Sequence, residues 1–290
     1  MQALAAWFIA RPQNAVLGLA ATLLLPYVPP QLTSGVVLSL LVVAQGTRLA
    51  VIEALAAAAL LVAVTLIFGL PVVSIVALMT GAWAPVLFLA VMLVTTRSLA
   101  LTMQVSVIVA IVGMLGFHVV VADPTAFWQP VLTAMSELAR QSGLELNTEL
   151  LNAEVMTVSA TLAMWTLSVT GLLLGYGLYR KLPGDIANYG LFRNLSFGKV
   201  LAVALALVSL VGFLAGVPLL ESIAMVLFVA FCVQGLSIVH WMHASGMLPL
   251  GAVIATYVLL PLLQVLLITV LAVLGYMDVW FGFRRRMKKA

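Results

Sequence analysis

Hydrophobic positions along the chain are neither scattered nor alternating; they gather into long runs separated by short polar breaks. A half-buried strand would alternate apolar and polar residues, whereas a helix needs about 20 apolar residues in succession to cross a bilayer. Nine runs stand out, at residues 14–28, 34–45, 49–70, 71–95, 99–121, 155–178, 200–216, 223–241 and 250–276. The second is short for a full crossing, the fourth holds Gly81 and Pro85 near its middle, and the ninth contains Pro261. Residues 3–10 read as a short, retained helix at the interface. The pattern predicts an all-α protein, a polytopic transmembrane helical bundle of eight or nine membrane helices.

Two of the polar breaks are long. Residues 123–154 are acidic, with Asp123, Glu137, Glu145, Glu149 and Glu154 against Arg140. Within them Phe127, Val131, Met135 and Leu138 recur at helical spacing. That spacing predicts an extracytoplasmic amphipathic helix on the membrane surface, ended at Gly143 and followed by an N-cap at Asn147. Residues 179–199 are basic, with Arg180, Lys181, Arg193 and Lys199 against Asp185. They divide the chain into an N-terminal six-span block, residues 1–178, and a C-terminal block, residues 200–290.

Lysine and arginine concentrate in cytoplasmic loops. With the N-terminus cytoplasmic, Arg11, Arg48, Arg97, Arg180, Lys181, Arg193 and Lys199 all fall inside, and of the first 199 residues only Arg140 falls outside. The tail, with Arg284, Arg285, Arg286, Lys288 and Lys289, would end outside after nine crossings. Either residues 34–45 do not fully cross, or the ninth run breaks at Pro261 and turns back, or the tail violates the bias.

Composition narrows the class. Of 290 residues, 64% are hydrophobic and 8% charged, against about a quarter charged in a soluble domain. That excludes a soluble globular protein, and the unalternating runs exclude an outer-membrane barrel. The net charge of +4 is no nucleic-acid signature, because the positive tail directly follows an apolar run and meets lipid headgroups first. The single cysteine, Cys232, allows no disulfide framework.

Candidate chemistry is sparse. Glu53 is the one acid in the interior of a predicted span. A charge at the bilayer centre costs at least ~2.5 kcal/mol, so such an acid faces the bundle and is paired or protonated. Glu53 reads either as a proton or cation site or as a structural ion pair with Arg48 or Arg97. Trp83 and His118, the latter near the outer end of the fifth run, complete the candidate ligand-binding or ion-binding residues. Residues 81–85 read either as an ordinary proline kink relieved by close packing of small residues or as a helix break that would free backbone carbonyls for a ligand.

His240 and His243 share a helix face, but no third ligand is close in sequence, so both read as interfacial and no metal is expected. Gln104, Gln234 and Gln264 are candidates for interhelical hydrogen bonds. Gly171/Gly175 and Gly212/Gly216 form GxxxG pairs, which mark close helix contacts within the chain or with a membrane-protein partner. The sequence has no phosphate-binding glycine loop, dinucleotide fingerprint or zinc-protease motif, so neither a cofactor nor catalysis is expected.

Three passages carry a resemblance: YGLFRNLSFGK at 189–199, QGLSIVHWMH at 234–243 and LGYMDVWFGFRRR at 274–286, the last with Gly275, Asp278, Phe281, Phe283 and Arg284. In this order they resemble the YybS-like family of bacterial inner-membrane proteins. The N-terminal six spans of that family are distantly similar to the substrate-binding S components of energy-coupling-factor transporters. Those components bind small molecules and dock a partner membrane subunit through small residues at four-residue spacing, a spacing that Ala6/Ala10 and Ala54/Ala58 have here. The resemblance implies a multi-pass protein of the bacterial inner membrane, a small-molecule binding or transport-type component without an energy-coupling motif of its own. The residues leave a second reading open, a scaffold for other membrane proteins.

Overall fold

The computed structural model describes residues 2–143, 152–184 and 186–287. The predicted cap Asn147 lies outside them, as do Glu145, Glu149, Asp185, Lys288 and Lys289. The helices are α1 (Gln2–Ala10), α2 (Pro12–Leu23), α3 (Ser34–Gln45), α4 (Thr47–Ile67), α5 (Val72–Thr96), α6 (Leu99–Val120) and α7 (Pro124–Gln141). They continue as α8 (Ala153–Tyr179), α9 (Gly198–Ala215), α10 (Pro218–Ala244), α11 (Leu250–Leu259), α12 (Gln264–Phe281) and α13 (Phe283–Met287). Among the described residues there is no strand. Seven helices, α4, α5, α6, α8, α9, α10 and α12, are long and apolar enough to cross a membrane. The chain is an integral, multi-pass, all-α membrane protein.

Its residues form two compact units, Met1–Ser106 with Met164–Leu191, and Val107–Ala163 with Phe192–Ala290. The boundary between Leu191 and Phe192 falls within the basic break at residues 179–199, and residues 107–163 group with the C-terminal helices. The reason lies in α6 and α8, whose two halves belong to different units.

In the first unit α2 and α3 are 12 residues each, because Pro12 starts one and the stretch from Pro26 to Pro30 separates it from the next. At 1.5 Å per residue each spans about 18 Å, short of the ~30 Å hydrocarbon core. The α3 helix is nonetheless the centre of the unit. All ten of its first residues are buried, and α2, α4 and α5 pack around it. On α8, Gly171 lies against the backbone of Gln31 and Gly175 against Ser39 and the Val36 carbonyl. A side chain at either glycine would push α8 off α3.

Of the two readings of residues 81–85, the helix break does not occur; α5 runs unbroken through Pro85. Proline offers no N–H to the carbonyl four residues back. That carbonyl, of Gly81, accepts a hydrogen bond at 3.3 Å from the Nε2 of buried Gln31. A side chain from the turn before α3 supplies the donor that the proline lacks.

In the second unit the ninth apolar run is broken. Pro261 separates α11 from α12, and α12 returns along α10. The crossing is close. A Cβ on Gly235 would strike the carbonyl oxygen of Leu271, and one on Gly275 the carbonyl oxygen of Phe231. Gly282, at φ 59°, ends α12 in the left-handed conformation. From α13, Arg284 then reaches the carbonyls of Arg193 at 3.0 Å and Leu195 at 2.7 Å. The tail and the segment before α9 thus share one end of the unit; the ninth run does break at Pro261, and residues 34–45 are themselves too short for a full crossing.

The α7 helix begins at Asp123, whose carboxylate accepts from the Ala126 amide at 3.0 Å, and it ends before Gly143, at φ 72°. Its apolar residues Phe127, Val131, Met135 and Leu138 are exposed, so none of the described residues covers that face. On its outer side Arg140 donates to Glu137 and holds that carboxyl below the usual range. Trp128 fastens the helix to α8 by donating to the Thr157 hydroxyl at 2.9 Å, and its ring lies tilted against Phe117 and edge-to-face with Phe127. The following helix is capped by Asn152, whose Oδ1 accepts from the Val155 amide at 2.9 Å.

Two outcomes follow. Gln31→Ala should lower stability by about 1–3 kcal/mol, the cost of stranding a buried carbonyl, read as a lowered melting temperature in detergent. Reporters fused near residue 190 and after residue 287 should read the same compartment; opposite compartments would rule out the return of α12.

Candidate binding cleft

The three passages that carried the resemblance converge on one place in the second unit. Gln234, fully buried, is its hinge pin. Its Oε1 accepts from the Phe197 amide at 2.7 Å, and its Nε2 donates to the Gly275 carbonyl at 2.9 Å and lies 3.4 Å from Asp278 Oδ2. One amide therefore ties the start of α9 and the crossing of α10 and α12 together. One turn on, Ser237 donates to the Gln234 carbonyl at 2.7 Å and lies 3.4 Å from that of Leu195.

Asp278 is 6% exposed, a costly place for a carboxylate without a counter-charge. Arg284 supplies it. Its Nη2 and Nε lie 2.6 Å and 3.1 Å from Asp278 Oδ2, while the same guanidinium holds the two carbonyls of the 193–195 turn. The planar fork is suited to such multidentate work. Asp278 Oδ1 stays buried without a partner.

Beside this network opens a cleft of about 280 Å³, lined by Asn194, Ser196, Gly198, Lys199, Trp241, Asp278, Val279, Gly282 and Arg284. The N-terminus of α9 forms one wall. Its N-cap residue is Phe197, which has no side-chain acceptor for the first-turn amides. Lys199, in that first turn, is exposed and makes no ion pair among the described residues. The Asp278 charge is cancelled by Arg284, so the cleft is electropositive through Lys199 and the helix end.

The residues singled out from sequence are distributed otherwise. Glu53 is 2% exposed, on the packed stripe of α4 with Ala50, Ala54, Ala57, Leu61 and Thr65. Neither carboxylate oxygen has a hydrogen-bond partner, and the expected pair with Arg48 or Arg97 is not formed. Five residues on a helix amount to about 140° of rotation, so Arg48 lies exposed on another face. Arg97, at φ 52°, caps α5 and is exposed as well.

Trp83 donates its indole N–H to Ser34 at 2.8 Å, and Ser34 donates to the Leu19 carbonyl at 2.8 Å. It is a packing residue between α5 and α3. His118 belongs to the other unit, with Nδ1 2.9 Å from the Met114 carbonyl and Nε2 3.3 Å from Glu154. Glu53 and Trp83 thus lie in the first unit and His118 in the second.

Of the glycine pairs, Gly171 and Gly175 are engaged on α3, Gly212 packs on Leu220 at the turn into α10, and Gly216, at φ 60°, caps α9. Three of the four residues offered to a partner are occupied within the chain. His240 pairs with the Tyr257 hydroxyl and His243 with the Leu248 carbonyl, each at 2.9 Å. No group of three metal-ligating side chains occurs among the described residues.

Sequence reasoning found the cleft residues only through their motifs. Gln234 stood out as a polar residue in an apolar run, whereas no sequence signal joined Asp278 to Arg284. Comparisons with protein-family models, with curated proteins and with solved structures find no match.

A partner lost from a buried pair typically costs 3–5 kcal/mol. Arg284→Ala should therefore melt well below wild type, and Asp278→Asn on that background should recover part of the loss by removing the stranded charge. Purely additive effects in this double-mutant cycle would show that the pair is not coupled.

Proposed function

We propose that this protein is a binding component, of transport type and without catalysis of its own, and that the cleft beside α9 takes an anionic, phosphate-bearing group. The observation that carries the reading is the charge arrangement: a lysine with no ion pair among the described residues and a helix N-terminus whose N-cap residue, Phe197, offers no side-chain acceptor, beside a carboxylate already neutralised by arginine. Free first-turn amides and the helix dipole favour anions at such an end. Trp241 and Val279 give the cleft an apolar side, which suits a ligand with a hydrocarbon or ring portion.

The positive-inside bias supports a cytoplasmic face for this cleft, for the N-terminus and for the tail, in a bacterial inner membrane. With α12 turned back at Pro261, Arg193, Lys199 and Arg284 lie at one end of the unit, and the bias holds through the C-terminus. On the opposite face α7 would rest its uncovered apolar side on lipid.

The test is a thermal-shift titration in nanodiscs of neutral phosphatidylcholine, with inorganic phosphate in one arm and a short-chain anionic phospholipid in the other. Stabilisation of wild type is expected, with an apparent affinity at least ~10-fold weaker for Lys199→Glu, or about 1.4 kcal/mol. Equal stabilisation of both proteins would sink the reading, and so would a stoichiometric protein partner recovered in mild detergent with no ligand.

A further inference from the structure

Among the described residues of the first unit, two side chains have buried polar atoms left without any partner: buried Glu53, through both carboxylate oxygens, and half-buried Gln45, through its amide nitrogen. They sit on the two helices that Gly46 joins, Gln45 as the last residue of α3 and Glu53 in the second turn of α4, and those helices pack on each other. One is an acceptor set and the other a donor, and neither satisfies the other. Buried polar groups are nearly always satisfied, and an orphan calls for a bound species or a functional role.

No counter-charge is at hand. The elements packed against α4 are α2, α3 and α5, and none carries a titratable side chain within its helical residues. On α4 itself the other charge is Arg48, exposed on a different face; Arg97, which ends α5, is exposed too. A carboxyl so placed, in a helix that spans lipid, is held as the neutral acid. It is also shallow. Six residues separate it from Thr47, about 9 Å of helix, so an exchange path to the aqueous face is short.

We propose that Glu53 is a proton-binding site, its carboxyl carrying an exchangeable proton inside the helix packing, with Gln45 across the Gly46 corner as the second polar group of the site. The site is independent of the cleft in the other unit, and either can stand without the other. Its ligand is the proton alone.

The test is infrared spectroscopy of the protein in nanodiscs at pH 7. Wild type minus Glu53→Gln should show the carbonyl band of a protonated carboxylic acid, and transfer into heavy water should shift that band. Absence of the band would mean an ionised carboxylate, and a band unmoved after prolonged exchange would mean a proton locked in for structure alone; either result overturns the proposal. A second measurement needs no variant. Dicyclohexylcarbodiimide adds to protonated, lipid-facing or bundle-facing acids, so mass spectrometry should find its adduct on the wild-type Glu53 peptide, with yield falling as pH is raised. A yield that does not change with pH contradicts the proposal.

Discussion

Arg284 is the residue on which the C-terminal unit depends. A carboxylate at 5% side-chain exposure is tolerable at Asp278 only because the guanidinium lies against it. The same guanidinium satisfies two carbonyls of the turn before α9. One side chain thereby neutralises a charge, orders a loop and ties α13 to the turn before α9. Against an apolar replacement such a pair gains little energy; what it supplies here is a unique arrangement. Gln234 extends that arrangement inward, so the start of α9 and the crossing of α10 with α12 are set by two polar side chains.

Elsewhere the same constraint takes quieter forms. Helices in lipid gain little from the hydrophobic effect when they associate, and close backbone approach and interhelical hydrogen bonds take its place. Gly235 with Gly275, and Gly171 with Gly175, provide the approach. The hydrogen bonds follow a recurring relay: an indole N–H donates to a hydroxyl, which donates onward to a helical carbonyl. Trp83 with Ser34, Trp165 with Ser106 and Trp128 with Thr157 are built this way. Each relay meets a polar atom of an otherwise apolar helix without importing charge.

Much of this was legible in the chain. Seven of the nine apolar runs contain helices long enough to cross, because a run of that length has no other stable state in lipid. Residues 14–28 and 34–45 carried the same hydrophobic signal, yet they yield 12-residue helices; the prolines between them and Gly46 after the second limit their length, and burial under neighbours makes the second core. Pro85 and Pro261 looked alike in sequence, and only one breaks its helix. The difference is a donor, since Gln31 reaches the carbonyl freed at Gly81. No spacing rule could pair residues 50 positions apart. The cleft was hidden for the same reason: Asp278, Lys199 and Gln234 are remote in sequence and meet only after α12 turns back. Glu53 was visible as an anomaly, but its arginine partners were inferred from depth alone, and depth does not specify which face of a helix a residue occupies.

The amide of Gln31 has a mechanical implication. It stands in for a missing peptide N–H, so the strap between α2 and α3 behaves as an added rung of α5. Sliding that strap away would leave a naked carbonyl facing hydrocarbon. The strap and the proline-bearing helix are therefore bound to travel as one body, and any rearrangement of this unit has to find its hinge elsewhere.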